Sequence, residues 1–205
     1  IRDRNNVLKT FSIENEPVVE LVNNREREYI FADLPDIGYS TDIDTVMASS
    51  YQVKKQLQQI VKIEQPITNT LLYKRILRIW NLTRVTTRLQ VFIDNLLEDA
   101  YKDPLSGDTI IYWEDEEKAK DCDFYRINSK RDILDIPILE VMSAARYAIE
   151  QQISMPTEDL KRLTSQLLGF SRKGNNLDMV TEQTIQLLVD QGIFSHANGM
   201  VSMNN

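Results

Sequence analysis

The sequence predicts a mainly α protein with small β-hairpins (α+β): two tandem winged-helix-like units after an N-terminal extension. Three observations lead there. Amphipathic helical segments come in two groups of three. Each group runs into a short strand-like stretch with turn chemistry, and three helices followed by a hairpin is the winged-helix order. Short anchors also recur: Pro66 pairs with Pro156, and WNLTR (80–84) pairs with LGFSR (168–172), so Trp80 matches Leu168 and Arg84 matches Arg172.

Residues 1–46 are expected to be an N-terminal extension or the tail of a preceding domain. EPVVELV (16–22) and REYIFADL (27–34) are rich in β-branched and aromatic residues and read as strands, and PDIGYSTDID (35–44) reads as a loop. The first unit, with its hairpin and an acidic linker, covers 47–127. Val53, Leu57, Ile60 and Val61 share one helix face, and Pro66 stops that helix. Thr68 or Asn69 can cap a second helix, with Leu72, Ile76 and Ile79 buried and Lys74, Arg75 and Arg78 on another face. Thr83 can cap a third, with Val85, Leu89, Phe92, Ile93 and Leu96 as its apolar stripe and Arg84 and Arg88 outside. Asp103-Pro104 and Ser106-Gly107-Asp108 are turn chemistry, and Thr109–Trp113 reads as a strand.

The second unit covers 128–205. Ile138, Val141, Met142, Ala145 and Ile149 line its first helix, and Thr157 opens a second containing Leu160, Leu163 and Leu167. Leu177, Val180, Ile185 and Leu188 line a third, which Gly192 stops, and Asn198-Gly199 is a two-residue hairpin turn.

Charge is distributed unevenly. The 205 residues hold 24 Lys and Arg against 31 Asp and Glu, a net charge of −7. From Gln65 to Ile93 there is no acid, yet Lys74, Arg75, Arg78, Arg84 and Arg88 lie there, leaving −12 for the remainder. A second acid-free stretch, Leu160–Leu177, carries Lys161, Arg162, Arg172 and Lys173. Natural surfaces mix both signs. In a winged helix the third helix and the turn before it face the groove. These nine cations, with Thr87, are therefore the candidate nucleic-acid contacts, and DNA is the expected partner. The rival reading pins the same cations against acidic protein surfaces, this chain's own acids among them.

Other chemistry is sparse. Cys122 is the only cysteine, which rules out an internal disulfide and fits a reducing, cytoplasmic setting; two flanking aspartates disfavour its thiolate. Glu116-Glu117-Lys118 resembles the end of a nuclease motif but lacks an earlier carboxylate on a neighbouring strand, so a solvated linker is expected. His196 is the only histidine and has no evident triad or metal partners; Trp80 and Trp113 read as core. There is no phosphate-binding Gly-x-x-x-x-Gly-Lys loop, no apolar run long enough for a membrane and no signal peptide. No cofactor, metal or small-molecule substrate is expected, and no catalytic activity. The chain begins at Ile1, so it is also read as a possible fragment.

Glu64-Gln65-Pro66-Ile67-Thr68, Lys74-Arg75, Trp80 to Arg84 and Gly169-Phe170-Ser171-Arg172 together resemble a bacterial domain of unknown function found at the C-terminal end of large superfamily-one DNA helicase-like proteins. The resemblance runs from about Tyr51 to the end. The family pattern has Gly where this chain has Gln65 and His where it has Thr68, so any chemistry of that His is absent here. The resemblance implies a parent with an ATP-driven motor, often with a nuclease-like domain just before this one. The expected function is then a non-catalytic C-terminal accessory module that contacts DNA through basic helix faces. The alternative is a protein–protein scaffold that docks on the parent's helicase or nuclease domains or on another subunit.

Overall fold

The computed structural model describes residues 24–39, 41–105, 107, 109–127, 130–150 and 152–204. Over these residues the chain is α+β, about half helical, with eight α-helices and three small sheets. It opens with β1 (Glu26–Glu28), α1 (Ile43–Ala48) and α2 (Ser50–Glu64). Then come β2 (Ile67–Thr68), α3 (Asn69–Ile79), α4 (Thr87–Leu96), β3 (Tyr101–Lys102) and β4 (Ile111–Trp113). A connecting stretch holds α5 (Glu116–Lys120), β5 (Tyr125–Ile127) and a 3-10 turn (Ile133–Asp135). The chain finishes with α6 (Ile138–Glu150), β6 (Ser154–Pro156), α7 (Thr157–Leu167), α8 (Asn175–Asp190), β7 (Phe194–Ala197) and β8 (Met200–Met203).

The same order appears on both sides of the connecting stretch. Helix, strand, helix, helix and two strands are followed by sheet orders β2-β4-β3 and β6-β8-β7, both antiparallel. The helices keep register: α2, α3 and α4 start at Ser50, Asn69 and Thr87, and α6, α7 and α8 start 88 residues later, at Ile138, Thr157 and Asn175. In that register buried positions meet buried positions: Val53 with Val141, Leu57 with Ala145, Ile67 with Met155, Leu72 with Leu160, Leu89 with Leu177. The expected pairing of Pro66 with Pro156 is displaced by two. Thr68 and Pro156 are the matching helix N-caps, because α3 and α7 are both 11 residues long.

The paired WNLTR and LGFSR segments are one helix-ending device. After α3, Asn81 N–H donates to Arg78 O and Leu82 N–H to Leu77 O. After α7, Gly169 N–H donates to Gln166 O and Phe170 N–H to Ser165 O. Asn81 (φ 48°) and Gly169 (φ 89°) both take the left-handed conformation this cap needs. The two-residue turn at Asn198 (φ 52°) and Gly199 (φ 73°) joins β7 to β8 as expected.

Several elements differ from expectation. The third helix begins at Thr87, capped by the hydroxyl of Thr86, which accepts from Leu89 N–H at 3.2 Å. Thr83 caps nothing, since Leu89 and Ile93, both fully buried, set where this helix packs. Arg84 therefore lies in the turn before α4 rather than on the same helix as Arg88. The strand predicted at 27–34 runs instead over Glu26–Glu28; Tyr29 N–H still donates to Ile127 O, but Ala32 N–H donates to the Glu64 carboxylate at 3.1 Å rather than to a strand. The strand predicted at 16–22 lies outside the described residues. Part of the predicted loop becomes α1, capped by Asp42. The acidic linker contains α5, capped by Asp115.

β1 pairs in parallel with β5, so Glu26–Glu28 lie along the connecting stretch. There the two halves meet around buried charge. Glu140 is fully buried and accepts from Arg126 N–H (3.0 Å), Nε (3.1 Å) and Nη2 (2.5 Å), and from Arg131 Nη1 (2.7 Å) and Nη2 (2.9 Å). Arg126 also donates to the carbonyl oxygens of Glu64, Gln65 and Pro66, where α2 ends. Burial raises the Glu140 pKa, but Arg126 and Arg131 outweigh it and hold the carboxyl at about 2.

Glu140→Gln should destabilise the fold by about 3–5 kcal/mol in chemical denaturation, since it leaves buried arginines without their anion. In an acid titration the wild type should keep Glu140's contribution above pH 4.5 and lose it as pH falls through about 2, a loss the variant lacks. Gly169→Ala should cost about 1 kcal/mol, because alanine disfavours the left-handed cap.

Candidate nucleic-acid interface

The acid-free stretch of sequence is not acid-free in space. On α3, Arg75 points inward. Its Nε and Nη2 donate to the fully buried Glu64 carboxylate at 2.9–3.1 Å, and Nη2 also donates to the Tyr29 hydroxyl at 3.0 Å. The Tyr29 hydroxyl in turn donates to Glu64. Burial, then Glu64, pushes the Tyr29 pKa well above the ordinary phenol value. The Phe31 ring lies 4.1 Å from the Arg75 guanidinium and 5.1 Å from that of Arg78, which is otherwise exposed. Lys74 Nζ donates to both oxygens of the buried Asp135 at 2.6 and 2.7 Å. These three cations tie α3 to the N-terminal segment and to the 3-10 turn.

The remaining predicted contacts divide. Arg88, near the start of α4, pairs with Asp44 of α1 at 2.8 Å, with both side chains more than half exposed. Such a pair adds little stability, about 1 kcal/mol or less. Thr87 is exposed at the first position of α4. On α7, Lys161 bridges Glu158 and Glu182, both at 3.2 Å, and Arg162 pairs with Asp159 at 2.9 Å. Arg84, Arg172 and Lys173 are exposed, and no carboxylate among the described residues pairs with them. Arg84 and Arg172 occupy the same position in the two halves, in the turn just after the left-handed cap and just before α4 or α8. Arg172 and Lys173 also border a cleft of about 200 Å³ whose lining mixes both signs, with Lys161 and Arg162 beside Glu158 and Asp178.

The pairing of Arg75 with Glu64 was missed in the sequence, although a signal existed. Glu64 continues the apolar stripe of Val53, Leu57, Ile60 and Val61, and Glu140 sits beside Val141 on α6. A carboxylate on a buried helix face requires a cation folded onto it.

The other candidates take structural places. Trp80 and Trp113 are buried, and their indole N–H groups donate to Gln56 (2.9 Å) and Asp103 (3.0 Å). Burial, then Glu140, pushes the Cys122 thiol up to about 12. His196 is exposed on β7 with Nε2 3.1 Å from the Thr157 hydroxyl. Glu116 and Glu117 are exposed on α5, and Lys118 pairs with Glu114. Among the described residues, no three His, Cys, Asp or Glu side chains gather as a metal site would need, and no helix is long and apolar enough to cross a membrane.

Residues 48–91 match a family model described as "Protein of unknown function (DUF3320)". This stretch, from the end of α1 into α4, thus carries a domain of unknown function. No curated protein matches the chain, and no solved structure matches it.

Arg75→Ala should destabilise the protein by about 3–5 kcal/mol, because it strands a buried carboxylate. Arg84→Ala and Arg172→Ala should each change stability by less than about 0.5 kcal/mol. Urea denaturation monitored by tryptophan fluorescence checks both expectations.

Proposed function

We propose that the chain is a non-catalytic DNA-docking module of two winged-helix units, each offering an unpaired arginine at the entrance to its third helix. The observation that carries this reading is the repeated placement of Arg84 and Arg172, exposed and unpaired, 88 residues apart in matching turns. The strand–helix order and the shared sheet order support the winged-helix assignment. Within that architecture, Arg84, Arg172 and Lys173 contact phosphates, Thr87 and Arg88 lie beside them, and Lys74, Arg75 and Lys161 act mainly to hold the fold. The resemblance at 64–84 and 169–172 supports a place in a helicase-like parent, where the module would orient duplex or branched DNA for the motor.

A second reading has its own observation. Lys74 and Arg75 are already neutralised by Asp135 and Glu64, as a scaffold would require. An apolar groove also runs between the halves, lined by residues such as Leu105, Ile133 and Met179. In that reading the chain docks on the helicase or nuclease domains of its parent.

Fluorescence anisotropy with a labelled duplex and a labelled fork, across a salt series, separates the two. The DNA reading predicts binding that weakens with salt. Combining Arg84→Glu with Arg172→Glu should lower affinity at least tenfold and reduce the log–log salt slope by about 2, with helical content unchanged. No binding near 50 mM salt, or binding indifferent to the double reversal, would overturn it.

A further inference from the structure

The two third helices are alike in position and unlike in surface. The outward face of α4 presents Arg88, Val91 and Asn95, all exposed, with Thr87 at its start. They are spaced i, i+3 and i+7, so they form one stripe about 10 Å long. The one acid on α4, Asp94, is turned inward, where it accepts from the hydroxyls of Tyr73 (2.7 Å) and Tyr112 (3.2 Å). What remains outside is a guanidinium, an amide and a branched apolar group. Those are the groups that read guanine, adenine and the thymine methyl at major-groove edges.

The matching stripe of α8, 88 residues on, is Asn176, Met179 and Gln183, all exposed, so its cation is missing; beside it Asp178 and Asp190 are exposed, and Glu182 pairs with Lys161. No Lys or Arg occurs from Gly174 to the end of the chain. A stripe without a cation, flanked by the carboxylates of Asp178 and Asp190, is not drawn to the phosphates that flank a groove. The cations of this half, Arg172 and Lys173, lie only in the turn that precedes α8.

We infer that the two units divide the work on duplex DNA: α4 enters the major groove and reads bases through Arg88, Val91 and Asn95, while the second unit contacts the phosphate backbone alone through Arg172 and Lys173. This inference rests on the DNA-docking reading above. The exposed Arg88–Asp44 pair is part of it. Asp44 holds the guanidinium near the start of α4 and competes with DNA for it, so removing that carboxylate favours the bound state.

The test uses the full chain and a pool of 30-base-pair duplexes with a randomised centre, enriched by rounds of binding and sequencing. An enriched core of about three to four base pairs is expected. The ratio of affinities for the enriched duplex and a scrambled one is then compared among variants. Asn95→Ala should lower that ratio about tenfold, and Gln183→Ala with Gln186→Ala should leave it unchanged. Asp44→Asn should tighten binding to both duplexes. Loss of the ratio in the Gln183/Gln186 variant would assign base reading to α8 and overturn the inference. Binding without any enrichment would also overturn it while leaving the docking reading standing. Failure to bind any duplex at low salt would overturn both.

Discussion

The guanidinium of Arg126 is the interaction on which the rest of the structure depends. It comes from the short strand between the two halves and meets Glu140 of the later half on one side. On the other it caps the carbonyl oxygens at the end of α2, in the earlier half. A helix C-terminus leaves carbonyls unsatisfied and carries partial negative charge, so a buried cation there is well placed. The desolvation cost of burying Arg126, Arg131 and Glu140 is large. It is offset because Glu140 accepts five hydrogen bonds from the two arginines. This arrangement tolerates little displacement. It fixes the two halves against each other and thereby fixes the spacing of the turns that carry Arg84 and Arg172.

Much of this fold was legible because hydrophobic spacing survives into the packed state. The stripe of Val53, Leu57, Ile60 and Val61 is buried as its periodicity requires, and Asn198-Gly199 makes the turn its chemistry demands. The strands β2 and β6 were not legible, since two or three residues are too few to show alternation. The start of α4 was ambiguous because Thr83 and Thr86 are both competent caps. Only the burial of Leu89 and Ile93 chooses between them.

The candidate site was legible only in part, and for a different reason. Sequence distance is a poor guide to charge pairing. Gln65–Ile93 contains no acid, yet Glu64 reaches back onto Arg75, Asp44 onto Arg88 and Asp135 onto Lys74. A basic run therefore becomes a basic surface only where folding leaves it without carboxylates. That condition is met at Arg78, which lies over the Phe31 ring, and at Arg84, Arg172 and Lys173 in the turns that follow α3 and α7. The proposed role follows from this subtraction: five of the nine candidate cations pair with carboxylates, and among the rest Arg84 and Arg172 face outward in matching turns.

The most direct test of that claim is an amide NMR titration of the labelled chain with an unlabelled duplex at low salt, recording which backbone signals shift. Shifts should concentrate at 83–95 and 171–176, with the amides of Arg75 and Lys74 little changed. Shifts confined to the apolar groove around Leu105, Ile133 and Met179, or to the Lys74 face of α3, would contradict it.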